Sequence, residues 1–341
     1  MSVAVKDILP RLPAPFCRAD LKRITLGESG CLVYRLTEHG ASAILKVSSR
    51  ALMPDYLRLG HPKSHIAEHL FYTLLLPLLD IPAPKLLRGE RLTDDLNYIL
   101  LEDVSPYYTI PALDHHWTTA ELLLVVEVYA ALHGRAPRAL AKHASLAWLK
   151  QDPRQEFCPE RARALLAALY DNAWTHATVA PVFLHPRLQV VLDGLLDALA
   201  HVPPTLLHND FYPLNIGLPR DAAGGALLMD YQLLGLGPGM LDILNIGFLH
   251  PQPRFSGIDR DAVLDHYLRG LAVHAGESME LAEFRRLYTS AVILGWADYL
   301  PRFVRAMQRA NLGVEPWNNW LRETLTRAMS EWEQALTAQS L

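Results

Sequence analysis

One stretch restricts the possible folds more than any other: His208-Asn209-Asp210-Phe211-Tyr212-Pro213-Leu214-Asn215, followed at residues 229–231 by Met-Asp-Tyr. The pattern is H-x-D-x-x-x-x-N, then a second Asp flanked by apolar residues. A polar loop followed by an unrelated turn would account for any one of these positions. The full set in this order asks for more. It needs a loop and a small hairpin, held by a surrounding scaffold so that Asp210, Asn215 and Asp230 converge.

Such a convergence has a defined chemical use. In phosphoryl transfer of the kinase type, an Asp orients the acceptor hydroxyl and takes its proton. An Asn further along the loop, with a second Asp on the next short strand, holds Mg²⁺ ions that bridge the nucleotide phosphates. Asp210 is therefore the candidate base, and Asn215 and Asp230 are the candidate metal ligands. His208 is expected to fix the loop through its hydrogen bonds rather than to transfer protons.

The chain is long enough, at 341 residues, for two lobes, and half of its residues are hydrophobic, which is ample core material. A formal charge of −4 gives no general pull toward nucleic acid or anionic membrane. Cys17, Cys31 and Cys158 are odd in number and widely spaced, so they support neither a disulfide framework nor a zinc site and suit a reducing cytosol. The N-terminus lacks the basic and apolar regions of a signal peptide, and the apolar run Leu70 to Leu79 is too short to span a bilayer. The expectation is a soluble, cytoplasmic protein with no nucleic-acid or membrane partner. The pattern fixes no oligomeric state.

Residues 21–48 alternate as three antiparallel strands, with Gly27-Glu28-Ser29-Gly30 in the first hairpin loop. A helix is predicted over Ser64 to Leu79, with Ile66, Leu70, Leu74 and Leu78 on one face, and short strands near 85–91 and 97–101. After Val104 the character becomes helical. Thr118 or Thr119 caps a helix whose apolar face holds Leu122, Val125, Val126, Tyr129 and Leu132. Further helices are predicted near 159–171, 186–200 and from about 239 onward. The fold class is α+β, with a strand-rich lobe over 1–103 and a larger helical lobe over 104–341.

Other residues fit the same chemistry. Lys46 is the one charge in the apolar strand Ala-Ile-Leu-Lys-Val. An isolated strand Lys ordinarily reaches out to water, but in this company it fits a cation on the nucleotide phosphates, held by Glu68 from the helix. Ser29 and Gly30 belong to a glycine-containing turn whose N–H groups could face anionic oxygens. Any hairpin favours glycine, and the turn gains weight only from lying upstream of Lys46. Glu102 and Val104, at the end of an apolar strand, would offer main-chain groups to the adenine of ATP. There is no Walker A sequence and no G-x-S-x-G elbow. Asp242, in Gly237-Pro238-Gly239-Met240-Leu241-Asp242, reads as structural: it caps a helix or hydrogen-bonds the 208–215 loop from below.

Together, His208 to Asn215, Met229-Asp230-Tyr231-Gln232, Gly237-Pro238 with Asp242, and the upstream Ala131-Leu132-His133 closely resemble the aminoglycoside phosphotransferase/choline kinase-like family. Glu28-Ser29-Gly30 to Tyr34, Lys46, Glu68 and Leu101-Glu102 fall in the order which that resemblance requires, so it spans roughly residues 20 to 250. It implies a bilobal protein-kinase-like fold, with ATP and Mg²⁺ in the cleft and Asp210, Asn215, Asp230 and Lys46 in the roles given above. Asn209 stands where many members have Gly and looks like choline and ethanolamine kinases. Asp-Tyr-Gln with Leu-Glu-Asp upstream looks instead like the ecdysteroid-kinase-like branch. The two hints conflict, and the acceptor stays open.

Tyr212 occupies the position where kinases acting on Ser or Thr carry Lys, and no Ala-Pro-Glu element follows Asp230, so a small-molecule acceptor is expected rather than a peptide. Trp296, Asp298, Tyr299, Trp317, Trp320 and Trp332 offer an aromatic and acidic wall for a cationic acceptor, although helix-packing tryptophans are the ordinary case. The expected activity is transfer of the γ-phosphate of ATP to a small-molecule hydroxyl. The alternative is a catalytically inactive kinase-like module that binds nucleotide.

Overall fold

A computed structural model describes residues 5–25, 30–54, 62–143, 145–149, 201–221, 224–243 and 257–276, together with 190, 193–194, 197, 199, 255, 279–280, 282–284, 287–288 and 330. The arrangement is α+β and two-lobed. The first lobe is a five-stranded antiparallel sheet of β1 (Asp20–Ile24), β2 (Cys31–Glu38), β3 (Ala41–Ser49), β4 (Leu86–Arg91) and β5 (Leu96–Glu102), in the order β1-β2-β3-β5-β4.

Strand alternation divides this sheet into two working faces. Ala43, Leu45 and Val47 of β3, with Tyr98 and Leu100 of β5, pack against Val5, Ile8, Leu12 and Phe16 of the N-terminal segment. The intervening Ile44, Ile99 and Leu101 join the larger core with Phe71, Tyr72 and Leu75. Lys46 lies between Ile44 and Ser48 in this alternation and opposite Ile99, so its register sends it to the second face.

The segment predicted as one helix over Ser64 to Leu79 is helical but not uniform. An α-helix spans Ser64–Leu70, a π-type turn Phe71–Leu75, and a last α-turn Leu76–Leu79, where Pro77 sits at the start. The buried face also differs from the expected one. Ala67, Glu68, Phe71, Tyr72, Leu75 and Leu79 are buried, whereas Leu74 and Leu78 are each 39% exposed. This segment is apolar on two sides, and the side that turns inward is the one that carries Glu68 to Lys46.

The second lobe is organised around the 22-residue helix Thr119–Leu140. Its predicted inner face, Leu122, Val125, Val126, Tyr129 and Leu132, is fully buried. Against it pack the helix Arg260–Ala275, the strand β7 (Thr205–Leu207) and the small strand group β6 (Tyr108–Thr109), β8 (Ile216–Pro219) and β9 (Leu227–Leu228). Close approach of the two helices relies on Gly134 and Gly270, where a Cβ would stand 2.7 Å from His274 and 2.9 Å from Ala130. Strand β10 (Gly235–Gly237) pairs with β7, and a helical turn Met240–Ile243 follows directly. The helix expected near 159–171 lies outside the described residues, as do 289–329 and 331–341, while the described residues of the one expected near 186–200 (190, 193, 194, 197 and 199) are helical. No described helix is long and apolar enough to cross a membrane.

Of the two candidate caps, Thr118 is the one used. Its hydroxyl accepts from Glu121 N at 3.2 Å, and the Glu121 carboxylate accepts from Thr118 N at 2.8 Å, a reciprocal capping box. Thr118→Ala is expected to lower unfolding stability by about 1 kcal/mol, read as a lower urea midpoint with an unchanged slope. An unchanged midpoint would show that this helix end is held by packing alone.

Candidate active site

Lys46 does not reach water. Its residue is 7% exposed, and Nζ lies 2.5 Å from Glu68 Oε2 and 2.8 Å from Asp230 Oδ1. Burial alone would lower the ammonium, but the carboxylates of Asp230 and Glu68 outweigh it and hold it well above the ordinary lysine value. Burial pushes the Glu68 carboxyl up, with Lys46 opposing. The second oxygen of Glu68 accepts from Tyr231 N at 3.3 Å, so the helix residue grips the chain next to Asp230 as well as the lysine.

The loop 208–215 leaves β7 buried and hydrogen-bonded. His208 Nε2 donates to the Met229 carbonyl at 2.9 Å, while Nδ1 has no partner among the described residues. Burial lowers the His208 imidazole below its usual value, so the neutral Nε2–H form is the one present near neutrality. Asn209 adopts a left-handed conformation with φ of 61°, secured by a bond from its side-chain amide to Leu233 O at 3.0 Å. The residue that stands where family members carry Gly thus meets a backbone need, because Asn tolerates this region better than most residues.

Asp210 follows, with Oδ2 accepting from Asn215 Nδ2 at 2.9 Å and its main-chain oxygen accepting from the same amide at 3.2 Å. Burial, then the nearby charge of Asp230, pushes the Asp210 carboxyl up to about 7; Asn215 and Lys46 act in the opposite sense. Met229 N donates to Asn215 O at 2.8 Å, which ties the loop to the turn carrying Asp230. Asp230 itself is left-handed, with φ of 63°. Tyr231 then stacks on Phe71 at 3.9 Å and meets His208 edge-on at 5.0 Å.

The remaining predicted positions lie around this centre. Gly30 enters β2 with φ of 72°, and a Cβ there would stand 2.7 Å from Leu52 O, so this position requires glycine. Ser29 lies outside the described residues, as do Trp296, Asp298, Tyr299, Trp317, Trp320 and Trp332. At the strand end, Glu102 N donates to Lys85 O at 2.9 Å, and Val104 O accepts from Tyr107 N and Tyr108 N. The N–H of Val104 has no partner among the described residues. Between them, Asp103 is buried and bound to Ser42 Oγ at 2.6 Å, Ser105 N at 3.1 Å and Arg35 Nε at 2.9 Å. Burial would raise its carboxyl, but these partners hold it below the usual range.

Asp242 lies inside the helical turn Met240–Ile243, and of its two expected roles the structure shows the bond to the loop. It is 1% exposed and accepts from His208 N at 2.6 Å and Asn209 N at 2.7 Å, one loop amide on each oxygen. Sequence reading identified this contact only as one of two alternatives, and nothing in the pattern signalled that Asp103 would lock the connector between the lobes. Among the described residues no group of three or more His, Cys, Asp or Glu side chains could hold a metal by itself. Asn215 and Asp230, on segments joined by the bond from Met229 N to Asn215 O, each carry a hard oxygen donor, the type that suits Mg²⁺ completing its shell with waters and phosphate oxygens.

A family model described as a phosphotransferase enzyme family matches residues 20–284. None of the curated proteins compared matches the chain. Solved structures share the fold at low identity. A protein of Ralstonia eutropha named as a candidate aminoglycoside phosphotransferase is 14% identical with a TM-score of 0.59, covering 98% of both chains. A microcompartment-associated aminopropanol kinase is 16% identical with a TM-score of 0.54, covering 97% of this chain and 94% of its own. The aminoglycoside 2'-phosphotransferase-IIIa, solved as a GDP complex, is 13% identical with a TM-score of 0.53, covering 96% of each. The bilobal, protein-kinase-like fold is therefore shared across their full lengths.

Two outcomes follow from this geometry. Asn209→Gly should change stability by no more than about 1 kcal/mol, one hydrogen bond traded for an easier backbone. Asn209→Val should cost at least about 1–2 kcal/mol; equal midpoints for the two variants in chemical denaturation would contradict the backbone argument. For Asp210 the folded carboxyl titrates above the unfolded one, so the folded state binds the extra proton. Stability therefore falls as pH rises from the ordinary Asp range to about 7, and the full penalty is present above that. Asp210→Asn should raise the melting temperature at pH 8, and this gain should vanish near pH 4; a gain independent of pH would contradict the electrostatic origin.

Proposed function

The chain belongs to the phosphotransferase enzyme family, and from that premise we propose that it moves the γ-phosphate of ATP to a hydroxyl of a small molecule, with Mg²⁺ at Asn215 and Asp230. The observation that carries this reading is the meeting of Lys46, Glu68 and Asp230 beside the Asn215–Asp210 bond. Asp210 would align the acceptor hydroxyl and take its proton as the oxygen attacks the phosphorus. A carboxyl already pushed up toward neutrality is matched to that task. Lys46, released from Asp230, would contact the nucleotide phosphates while Glu68 keeps it in place. Bound Mg²⁺ would supply neutralisation of the developing phosphate charge.

At the connector, Val104 N–H and the main chain of Glu102 would meet the base, and the turn through Ser29 and Gly30 would cover the phosphates. The lobe boundary near residue 103 follows from this division of labour. His208 acts from within the core, holding the Met229 carbonyl and thereby the Asp230 turn. Between Asp230 and the helical turn at Met240 stand only a 3₁₀ turn and β10. This leaves little room for a peptide-docking segment and supports a small-molecule acceptor.

The test is ADP release from Mg·ATP across aminoglycosides, choline, ethanolamine and other amino alcohols, simple sugars and sterol-like alcohols. Asp210→Ala should lower kcat by ~10²–10⁴-fold with nucleotide affinity little changed. Asp230→Ala should instead weaken Mg·ATP binding in calorimetry. Equal loss of nucleotide binding in both variants would refute the separate roles. Nucleotide binding without transfer to any acceptor would favour the inactive kinase-like module.

A further inference from the structure

The hydrogen bonds at Asp242 continue away from the cleft. Its Oδ2, which already accepts from His208 N, also lies 3.1 Å from His133 Nε2, and His133 Nδ1 lies 2.9 Å from the Tyr267 hydroxyl. His133 comes from the helix Thr119–Leu140 and Tyr267 from the helix Arg260–Ala275. All three side chains are at most 2% exposed. The His133 main chain is held as well, since Thr205 Oγ1 donates to its carbonyl at 2.7 Å. Gly239 makes room for the pair: a Cβ there would stand 2.7 Å from both His133 Nδ1 and the Tyr267 oxygen.

The direction of each proton in this chain follows from chemistry. An ionised Asp242 only accepts, so its bond to His133 exists only while the ring carries hydrogen on Nε2. In a neutral imidazole the other nitrogen then carries a lone pair, which needs a donor. Tyr267 supplies one, because burial, reinforced by the Asp242 charge, keeps its phenol protonated far above the ordinary range. The bond made by one ring nitrogen decides which tautomer the other shows. Without the phenol, the tautomer with hydrogen on Nδ1 becomes accessible, and it would turn a lone pair toward Asp242 Oδ2. The carboxylate would shift, and with it the amides of His208 and Asn209 that set the direction of Asp210.

We infer that Tyr267 is a positioning residue for phosphoryl transfer, fixing His133 as the Nε2–H tautomer and through Asp242 the loop that carries Asp210. The inference rests on the proposed role of Asp210 for its effect on rate, but the tautomer itself is independent of any activity.

The test is nitrogen NMR of protein labelled with ¹⁵N-histidine, with the His133 signals among the 15 histidines identified by their loss in His133→Gln. The native chain should show His133 protonated on Nε2 and bare on Nδ1. Tyr267→Phe, which keeps the ring, should lose that single pattern and move the backbone amide signals of His208 and Asn209. Its kcat should fall about tenfold, the equivalent of one lost hydrogen bond, with the nucleotide KM unchanged. In a His133→Gln background the amide donor to Asp242 has no tautomer to lose, so adding Tyr267→Phe should cost nothing further. A native Nδ1–H tautomer, or an undisturbed His133 pattern in Tyr267→Phe, would overturn the inference, as would an equal cost in the glutamine background. If the native chain transfers no phosphate to any acceptor, the proposed function fails, while the tautomer and the loop amides still decide the part played by Tyr267.

Discussion

The ammonium of Lys46, enclosed by Glu68 and Asp230, is the contact on which the rest of the cleft depends. It joins a sheet strand, a helix and a turn of the other lobe at a single nitrogen. Such a buried cluster is not a strong source of net stability, since taking the charges out of water costs several kcal/mol per ion. Its value is specificity. Removing one partner would leave a buried charge uncompensated, at roughly 3–5 kcal/mol, so arrangements that separate the three are excluded. The rotation of the segment 64–79 shows the effect. Its leucine stripe was available for burial, yet Leu74 and Leu78 remain partly exposed while Glu68 faces inward.

A second constraint acts on the loop itself. A chain turning through left-handed Asn209 has no strand partner for its first amides, and buried N–H groups must be paired. Asp242 serves in place of a strand, with one amide on each oxygen. The two constraints meet at Tyr231, whose amide binds Glu68 while its ring lies between Phe71 and His208. A disturbance of the helix carrying Glu68 would therefore reach the loop 208–215 through packed rings as well as through charge.

Much of this was legible in the residues. Strand alternation located β1 to β5, and the apolar spacing of 122–132 located the central helix and its buried face, because both elements present one dry side. The polar pattern at 208–230 singled out Asp210, Asn215 and Asp230, and the fold bonds Asn215 to Asp210 and sets Asp230 against Lys46. Partnerships between distant segments were not legible. Asp242 allowed two local readings, and only the fold decides that its carboxylate lies beneath the loop. Tyr267 looked like any aromatic on a helix, because the His133 nitrogen that it meets is 134 positions away in the chain. The helical leucine stripe misled for a related reason: periodicity records which faces are apolar, not which one a buried charge will claim.

The charge balance at the cleft floor bears on what can bind there. One ammonium, Lys46, stands among the carboxylates of Glu68, Asp210 and Asp230, and burial pushes the carboxyls of both Glu68 and Asp210 up to about 7. A bare nucleotide would bring more negative charge to a floor already in excess of it. Under the proposed reading, the polyanion is therefore admitted only with cations that offset both itself and the floor. The same cations would draw Asp230 away from Lys46, leaving the ammonium for the phosphates. The electrostatic cost carried by the cleft floor would thus become a selectivity for the metal–nucleotide complex over either component alone, because neither the metal nor the nucleotide separately satisfies both Lys46 and the three carboxylates.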